Sequence, residues 1–293
     1  LRLAVLQQAY PKDTADYGPI RAAIDILQQD GTLTVGTGEV DLVPILTGGA
    51  LALTGPDGML DPLGHGSSPR VTARDGEDAT AATLRLLENA AHATRVRAIL
   101  TGLGAGRGFG ITGAPLKMET ERRAGVQVGS DCAKTGTPTP HDPTQGVSAC
   151  DELWLTLTNQ SGRVQDVSVF YLAQDFTLSL IWPQNNLSNR LALGESTRVG
   201  LRIDAADPTA FAAEEILVVA LSPDVDEPRA DLSALASPDR LRATGSDPTL
   251  ATIAVLMDPQ DTTQTRGFST KRPALTLLRQ SVHLRPATPT KLP

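Results

Sequence analysis

At 293 residues, with 40% hydrophobic and 20% charged positions, the chain has the composition of a soluble globular protein long enough for two ordinary domains. Its net charge of −7, with acids and bases well mixed, argues against nucleic acid or an anionic membrane as the main partner, and no apolar run approaches the ~20 residues that cross a bilayer. Aromatics are only 3%, so the cores must be built mainly from Leu, Val, Ile and Ala.

The chain opens on Leu1, and the expectation is a piece of a longer or processed protein whose upstream sequence carries the activity. Residues 1 to about 110 read as a mixed α/β segment. Ile20, Ala23, Ile24 and Leu27 fall at helical spacing over Ile20–Gln29, ending at Gly31. Short strands are expected at 33–35, 40–46 and 50–54, with Gly48-Gly49 and Pro56-Asp57-Gly58 as turns. These strands look too few for an independent sheet. A long helix follows over about 78–101, with Asp75 or Asp78 as its cap. Leu84, Leu87, Ala91 and Ala98 are read as its apolar stripe, and Gly102 and Gly104 as its end.

From about 111 the texture becomes β. Lys117 to Val128 reads as a long strand or hairpin arm, followed by a loop rich in Gly, Pro and Thr. Leu153, Leu155 and Leu157 then alternate with Trp154, Thr156 and Thr158, and a turn at Asn159-Gln160-Ser161-Gly162 leads into Val167–Leu172. Strands are also expected at 176–182, 197–203, 216–221, 252–257 and 275–284. The run Ile216–Leu221 does not alternate, which predicts a central strand buried on both faces. Residues 224–250 read as a loop with one helical turn at 231–236, and 288–293 as a tail. Roughly eight short strands over 111–287 fit an immunoglobulin-like antiparallel β-sandwich. The fold class expected is therefore α+β, mainly β: a small mixed α/β N-terminal segment followed by the sandwich.

The two cysteines, Cys132 and Cys150, flank the polar loop before the strand series. A disulfide between them would imply an oxidising compartment, periplasmic or secreted, and would contribute roughly 3 kcal/mol through loop closure. Two unrelated thiols are the alternative.

Candidate chemistry is thin. Gly64-His65-Gly66-Ser67 resembles the His-Gly turn of caspase-like cysteine peptidases, and Asp131-Cys132-Ala133-Lys134-Thr135-Gly136 is faintly similar to their nucleophile turn. A His65–Cys132 dyad would need the imidazole within hydrogen-bond reach of the thiol, both at strand ends. No strand pattern precedes His65, and the Asp-to-Cys spacing is off by one residue, so two unrelated loops are the favoured reading. Thr101 to Gly108 is glycine-rich but follows a helix rather than a strand, which suits a C-cap and linker and not a phosphate loop. His65, His92, His141 and His283 lack metal-ligand spacing, so neither a metal nor a cofactor is expected. The acid pairs Asp151-Glu152 and Glu214-Glu215 at strand starts read as solvated edge charges. Of Trp154 and Trp182, one is expected in the core.

Leu153–Asn159, Val167–Leu172, Ile181-Trp182-Pro183, Asn189–Glu195 and Glu214–Ala220 together resemble the β-rich C-terminal region of bacterial caspase-family proteins. Glu39–Pro44, Ala50–Leu53 and the helix after Thr72 resemble the connecting region of the same proteins. The resemblance implies an accessory module that is itself non-catalytic, attached to a caspase-like cysteine endopeptidase whose His and Cys lie before Leu1. Its partner would be that peptidase domain or another protein. Two alternatives stand beside it: a structural or secreted sandwich unconnected with proteolysis, and a hydrolase using His65 and Cys132.

Overall fold

The structure is a computed structural model that describes residues 1–9, 15–104, 115–128, 131–184, 187–205, 207, 209–223, 229–237, 253 and 275–286. Two compact units divide the chain: Leu1–Arg95 with Ala173–Thr177 and Ala210–Ala213, and Val96–Leu172 with Leu178–Thr209 and Glu214–Pro293.

The first unit owes its sheet to strands too short to read from pattern. β1 (Arg2–Ala4) and β2 (Gln7–Gln8) run parallel to β3 (Thr34–Gly36) and β4 (Val43–Thr47) respectively, and β4 pairs antiparallel with β5 (Ala50–Thr54). Residues 2–8 thus supply the pairing that strands at 33–54 lack alone. The parallel β1–β3 pair requires a crossover, which α1 (Gly18–Gln29) provides. Gly48 and Gly49 have φ of +57° and +80°, the two left-handed residues of a tight hairpin turn. The buried face of α1 is Ile20, Ala23, Ile24 and Leu27, as its spacing predicts. These residues join Leu3, Leu46, Leu51, Leu53, Leu86, Leu87 and Phe176 in one core, each large side chain contributing about 1.5–3 kcal/mol relative to exposure.

The long helix, α2 (Ala79–Gly104), begins under Asp78, whose carboxylate accepts from the Ala81 amide at 2.7 Å. Its buried face is Ala82, Leu86, Ala90, Ala93, Val96 and Leu100, flanked by Thr83 and Leu87. The stripe inferred from sequence is therefore displaced: Leu87 belongs to it, but Ala98 is exposed and Leu84 and Ala91 are half-buried. Alanine occurs on every side of this helix, so the apolar pattern alone does not fix its orientation. Of the two glycines read as its end, Gly104 is the last residue of the helix.

In the second unit the order is β12–β8–β6–β7 in one sheet and β10–β9–β13–β14 in the other, with β11 beside β9. The strands are β6 (Leu116–Val128), β7 (Asp131–Pro140), β8 (Glu152–Asn159), β9 (Gln165–Leu172), β10 (Leu178–Trp182), β11 (Arg190–Leu191), β12 (Ser196–Arg202), β13 (Ala212–Leu221) and β14 (Leu275–Leu284). This is the mainly β, sandwich-like architecture expected. Leu153, Leu155 and Leu157 of β8 are fully buried, and their partners Thr120 on β6 and Val199 on β12 share that face. Thr120 Oγ1 donates to Gln280 Oε1 of β14 at 2.6 Å, tying one sheet to the other. Ile216–Leu221 is buried on both faces, as its unbroken apolar run predicts.

β9 is buried on both faces too, where alternation suggested only one. The last turns of α2 lie against β13 and β14, which follow β9 in the sheet. Arg97 reaches Glu215 of β13, and Gly104 lies where an added Cβ would be 3.6 Å from Leu275 and Leu277 of β14. The helix end covers the outer face of that sheet. Of the expected helical turn at 231–236, a 3-10 turn forms at Ser233–Ala236. The strand expected at 252–257, except for Ile253, residues 224–228 and 238–250 of the expected loop, and the tail at 288–293 lie outside the described residues.

Candidate functional site

His65 sits on a loop whose glycines are explained by packing. At Gly64, with φ +130°, a Cβ would come within 2.5 Å of the Phe211 ring, and at Gly66, with φ +87°, within 2.8 Å of the Ala210 Cβ. The loop is closed by Asp61, whose carboxylate takes two hydrogen bonds from Arg70 at 2.9 and 2.7 Å and one from the Ser68 amide at 3.0 Å. Burial would raise the Asp61 carboxyl, but the Arg70 hydrogen bonds and the Ser68 amide outweigh it and hold it down to about 2. The His65 side chain is 95% exposed, its Nδ1 3.9 Å from Asp61 Oδ2. The Gly-His-Gly motif is a loop closure with an outward histidine.

Cys132 is joined to Cys150 by a disulfide, with Cα atoms 5.3 Å apart. His65 belongs to the first unit and the bridge to the second. The bridge leaves no thiol for an imidazole to activate, so the dyad has no nucleophile. It pins β7 to the segment entering β8, where Gly125 is packed so closely on Cys150 that a Cβ there would fall 1.9 Å from the Cys150 carbonyl oxygen.

The acids read as solvated edge charges are in part something else. Asp151 is 1% exposed, and its carboxylate accepts from Arg122 Nε at 2.7 Å, the Ser148 amide at 2.7 Å and the Gly125 amide at 3.0 Å. Glu215 is also buried, between Arg97 and Arg279. Glu214 accepts from the Tyr171 hydroxyl, and burial first, then the Glu214 charge, raises the Tyr171 pKa. Strand-start position does not distinguish a solvated acid from a buried one whose arginine lies far along the chain.

The remaining candidates are dispersed. The His141 side chain is half-buried, and burial first, then the Arg122 charge, lowers its pKa. No group of three or more His, Cys, Asp or Glu suited to a metal ion occurs among the described residues. Thr101–Gly104 is the last turn of α2, and the rest of that glycine-rich stretch lies outside the described residues. In the loop at 184–190, Leu187 is exposed, but Asn189 is buried and donates to the Ala230 carbonyl at 2.9 Å. Leu232, Ala234 and Leu235 are buried too, so part of the 224–250 stretch, read as a loop, is core.

Among the described residues a concentrated feature lies on the outward face of β12–β8–β6–β7. Neither tryptophan is fully buried, contrary to the core placement expected for one of them. Trp154 points away from Leu153 and Leu155, over Gly200 directly across on β12, where a Cβ would be 2.7 Å from the indole. The guanidinium groups of Arg198 and Arg123 lie 4.7 and 5.7 Å from its ring centroid. Its Nε1 donates to Glu152 Oε2 at 3.1 Å, and Glu152 also pairs with Lys134 and Arg123 at 3.2 and 3.3 Å. Burial works to raise the Glu152 carboxyl, but Lys134 and the Trp154 hydrogen bond prevail and lower it. Arg198 is held by Glu121 at 2.6 Å.

The alternation of β8 already put Trp154 on the outward side. Arg198, Arg123 and Gly200 were missed because only strand register brings them to it. The indole and the two guanidinium groups of the cluster are not nucleophiles. The face is a rigid plate on which an aromatic ring and two guanidinium groups are fixed before any partner arrives, and Trp and Arg are the residue types most often found at the energetic centre of protein interfaces.

No protein-family model, curated protein or solved structure matches this chain. No helix among the described residues is long and apolar enough to cross a membrane. The Cys132–Cys150 bridge is compatible with an extracytoplasmic setting.

Proposed function

We propose that this chain is a non-catalytic protein-binding module that contacts its partner through the Trp154 face, and that it serves a bacterial caspase-like cysteine endopeptidase as an accessory region. The observation that carries the binding reading is the fixed Arg198–Trp154–Arg123 cluster on an outward sheet face. A preorganised aromatic loses little side-chain freedom on binding, so its contact area converts into affinity efficiently. The link to a peptidase rests on the sequence resemblance. Engagement of both cysteines with each other supports a supporting role over a catalytic one.

The test measures binding between this chain and the caspase-like peptidase domain encoded alongside it. Saturable binding that weakens at least about tenfold in Trp154→Ala supports both parts of the proposal. An adjoining coding sequence without a caspase-like domain removes the peptidase link and leaves the binding face to be tested on another partner. Binding to the peptidase that is indifferent to Trp154→Ala and Arg198→Ala removes the face.

A further inference from the structure

On the outer face of the second sheet, beside the edge strand β14, a cavity of about 360 Å³ is lined by Thr101 and Gly104 of α2, by Pro115, and by Leu275, Leu277 and Arg279. Its existence follows from Gly104. A larger residue at this helix end would fill the space, since a Cβ there would already make ordinary contact with Leu275 and Leu277. The volume falls within the range of small-molecule sites, about 300–1,000 Å³.

The charges beside it are unbalanced. Glu215 is the single carboxylate between Arg97 and Arg279, and neither guanidinium has another acidic partner among the described residues. Two positive charges against one negative leave one in excess. Burial first, then repulsion by Arg279, works to lower the Arg97 pKa, offset in part by Glu215. The two arginine side chains remain 38% and 42% exposed, so a ligand can reach them. Against this the carbonyl end of α2 contributes a partial negative charge, about half a unit. The excess guanidinium outweighs it, and the opposition sets an orientation, with anionic groups favoured at Arg279 and disfavoured at Gly104.

We propose that this cavity binds a small amphiphile bearing one carboxylate, its apolar body on Leu275 and Leu277 and its carboxylate on Arg279. The proposal is independent of the Trp154 face. Apolar lining with a single charged group at the rim supplies both parts of such recognition: area for the body, and a charge-assisted hydrogen bond for orientation.

The probe is octanoate, titrated into the full chain by calorimetry, with octylammonium as the control of opposite charge. Saturable octanoate binding at one site is expected, with octylammonium at least about tenfold weaker. Arg279→Gln should lose about tenfold for octanoate while the fold is retained, because Glu215 keeps Arg97, and Arg279→Lys should recover part of the loss. Gly104→Leu, which extends a side chain onto the Leu275–Leu277 floor, should abolish binding with the thermal midpoint unchanged. The proposal is overturned by absence of saturable octanoate binding, by equal binding of octanoate and octylammonium, or by a folded Gly104→Leu that binds octanoate as well as wild type.

Discussion

Replacing Asp151 with Asn separates shape from charge at a buried, three-bonded carboxylate of the second unit. Asp151 accepts three hydrogen bonds, from Arg122, Ser148 and Gly125. Bonds to a charged group are worth about 1.5–3 kcal/mol each, so three set an upper bound near 4.5–9. Two features reduce it. Asn keeps one carbonyl oxygen for one of the two amides. The Arg122 side chain, 30% exposed, can recover part of its solvation by turning outward. The expected loss is then about 3–5 kcal/mol, the range for breaking a buried ion pair. That is a large share of a typical total stability of about 5–15 kcal/mol. Guanidinium unfolding followed by tryptophan fluorescence reads the correct unit, since Trp154 and Trp182 both belong to it. Amide exchange at Gly125 and Ser148 should accelerate in the same variant. A loss under about 1 kcal/mol, with exchange at both amides unchanged, would refute the role given to this carboxylate.

Four further outcomes are expected. Cys132→Ser with Cys150→Ser should lower the stability of the second unit by about 3 kcal/mol, the loop-closure value for cysteines 18 positions apart, measured as a shift in denaturant midpoint. His65→Ala should change stability by less than about 0.5 kcal/mol, whereas Gly64→Ala, forced onto Phe211, should cost about 1–3 kcal/mol in the first unit; the reverse ranking would count against the loop-closure reading. Asp61 has a folded pKa of about 2 against an ordinary 3.8, so its contribution is complete above 3.8 and is lost as the pH falls through 2; a carbon-detected titration of that carboxyl checks the value, and a midpoint near 3.8 contradicts it. Gly200→Ala should push the indole off the sheet and shift the Trp154 Nε1–H resonance, while an unmoved resonance would show that the ring does not rest there.

Much of this architecture was legible in the sequence because period-two alternation reports burial directly. Leu153, Leu155 and Leu157 face inward and Trp154 outward, as alternation requires, and the unbroken run from Ile216 marks a central strand. The buried face of α1 was legible from its helical spacing, although the helix begins at Gly18 and not at Ile20. What pattern did not reveal depends on distant partners. The parallel strands at residues 2–8 are two or three residues long and carry no period of their own, and their pairing depends on segments beyond α1. The stripe of α2 was misplaced because its buried alanines are indistinguishable from its exposed ones until the neighbouring elements are in place. At the Trp154 face only the aromatic was visible, and register between β6, β8 and β12 supplied the arginines.

Asp61, Asp151 and Asp166 share one construction. Each carboxylate holds an arginine and at least one backbone amide: Arg70 with Ser68, Arg122 with Ser148 and Gly125, and Arg190 with Ala230. The arginines lie 9, 29 and 24 positions from their aspartates, so none of these pairs is visible as a local motif. A chain with few aromatics has little bulk with which to wedge loops in place, and a buried carboxylate that collects amide protons fixes loop backbones by direction instead of volume. The neutralising arginine is necessary because an unpaired buried charge would cost more than the amide bonds return. The same economy bears on function. A carboxylate already saturated by an arginine and by backbone amides is a poor general base, because taking a proton would break the bonds that hold its loop. The cysteines are bonded to each other and these aspartates are committed as anchors, so the thiol of the His65–Cys132 pair and these three carboxylates are engaged in structure. Among the described residues the outward tryptophan and its arginines are an assembled feature that faces solvent, and the proposed recognition role rests on that arrangement.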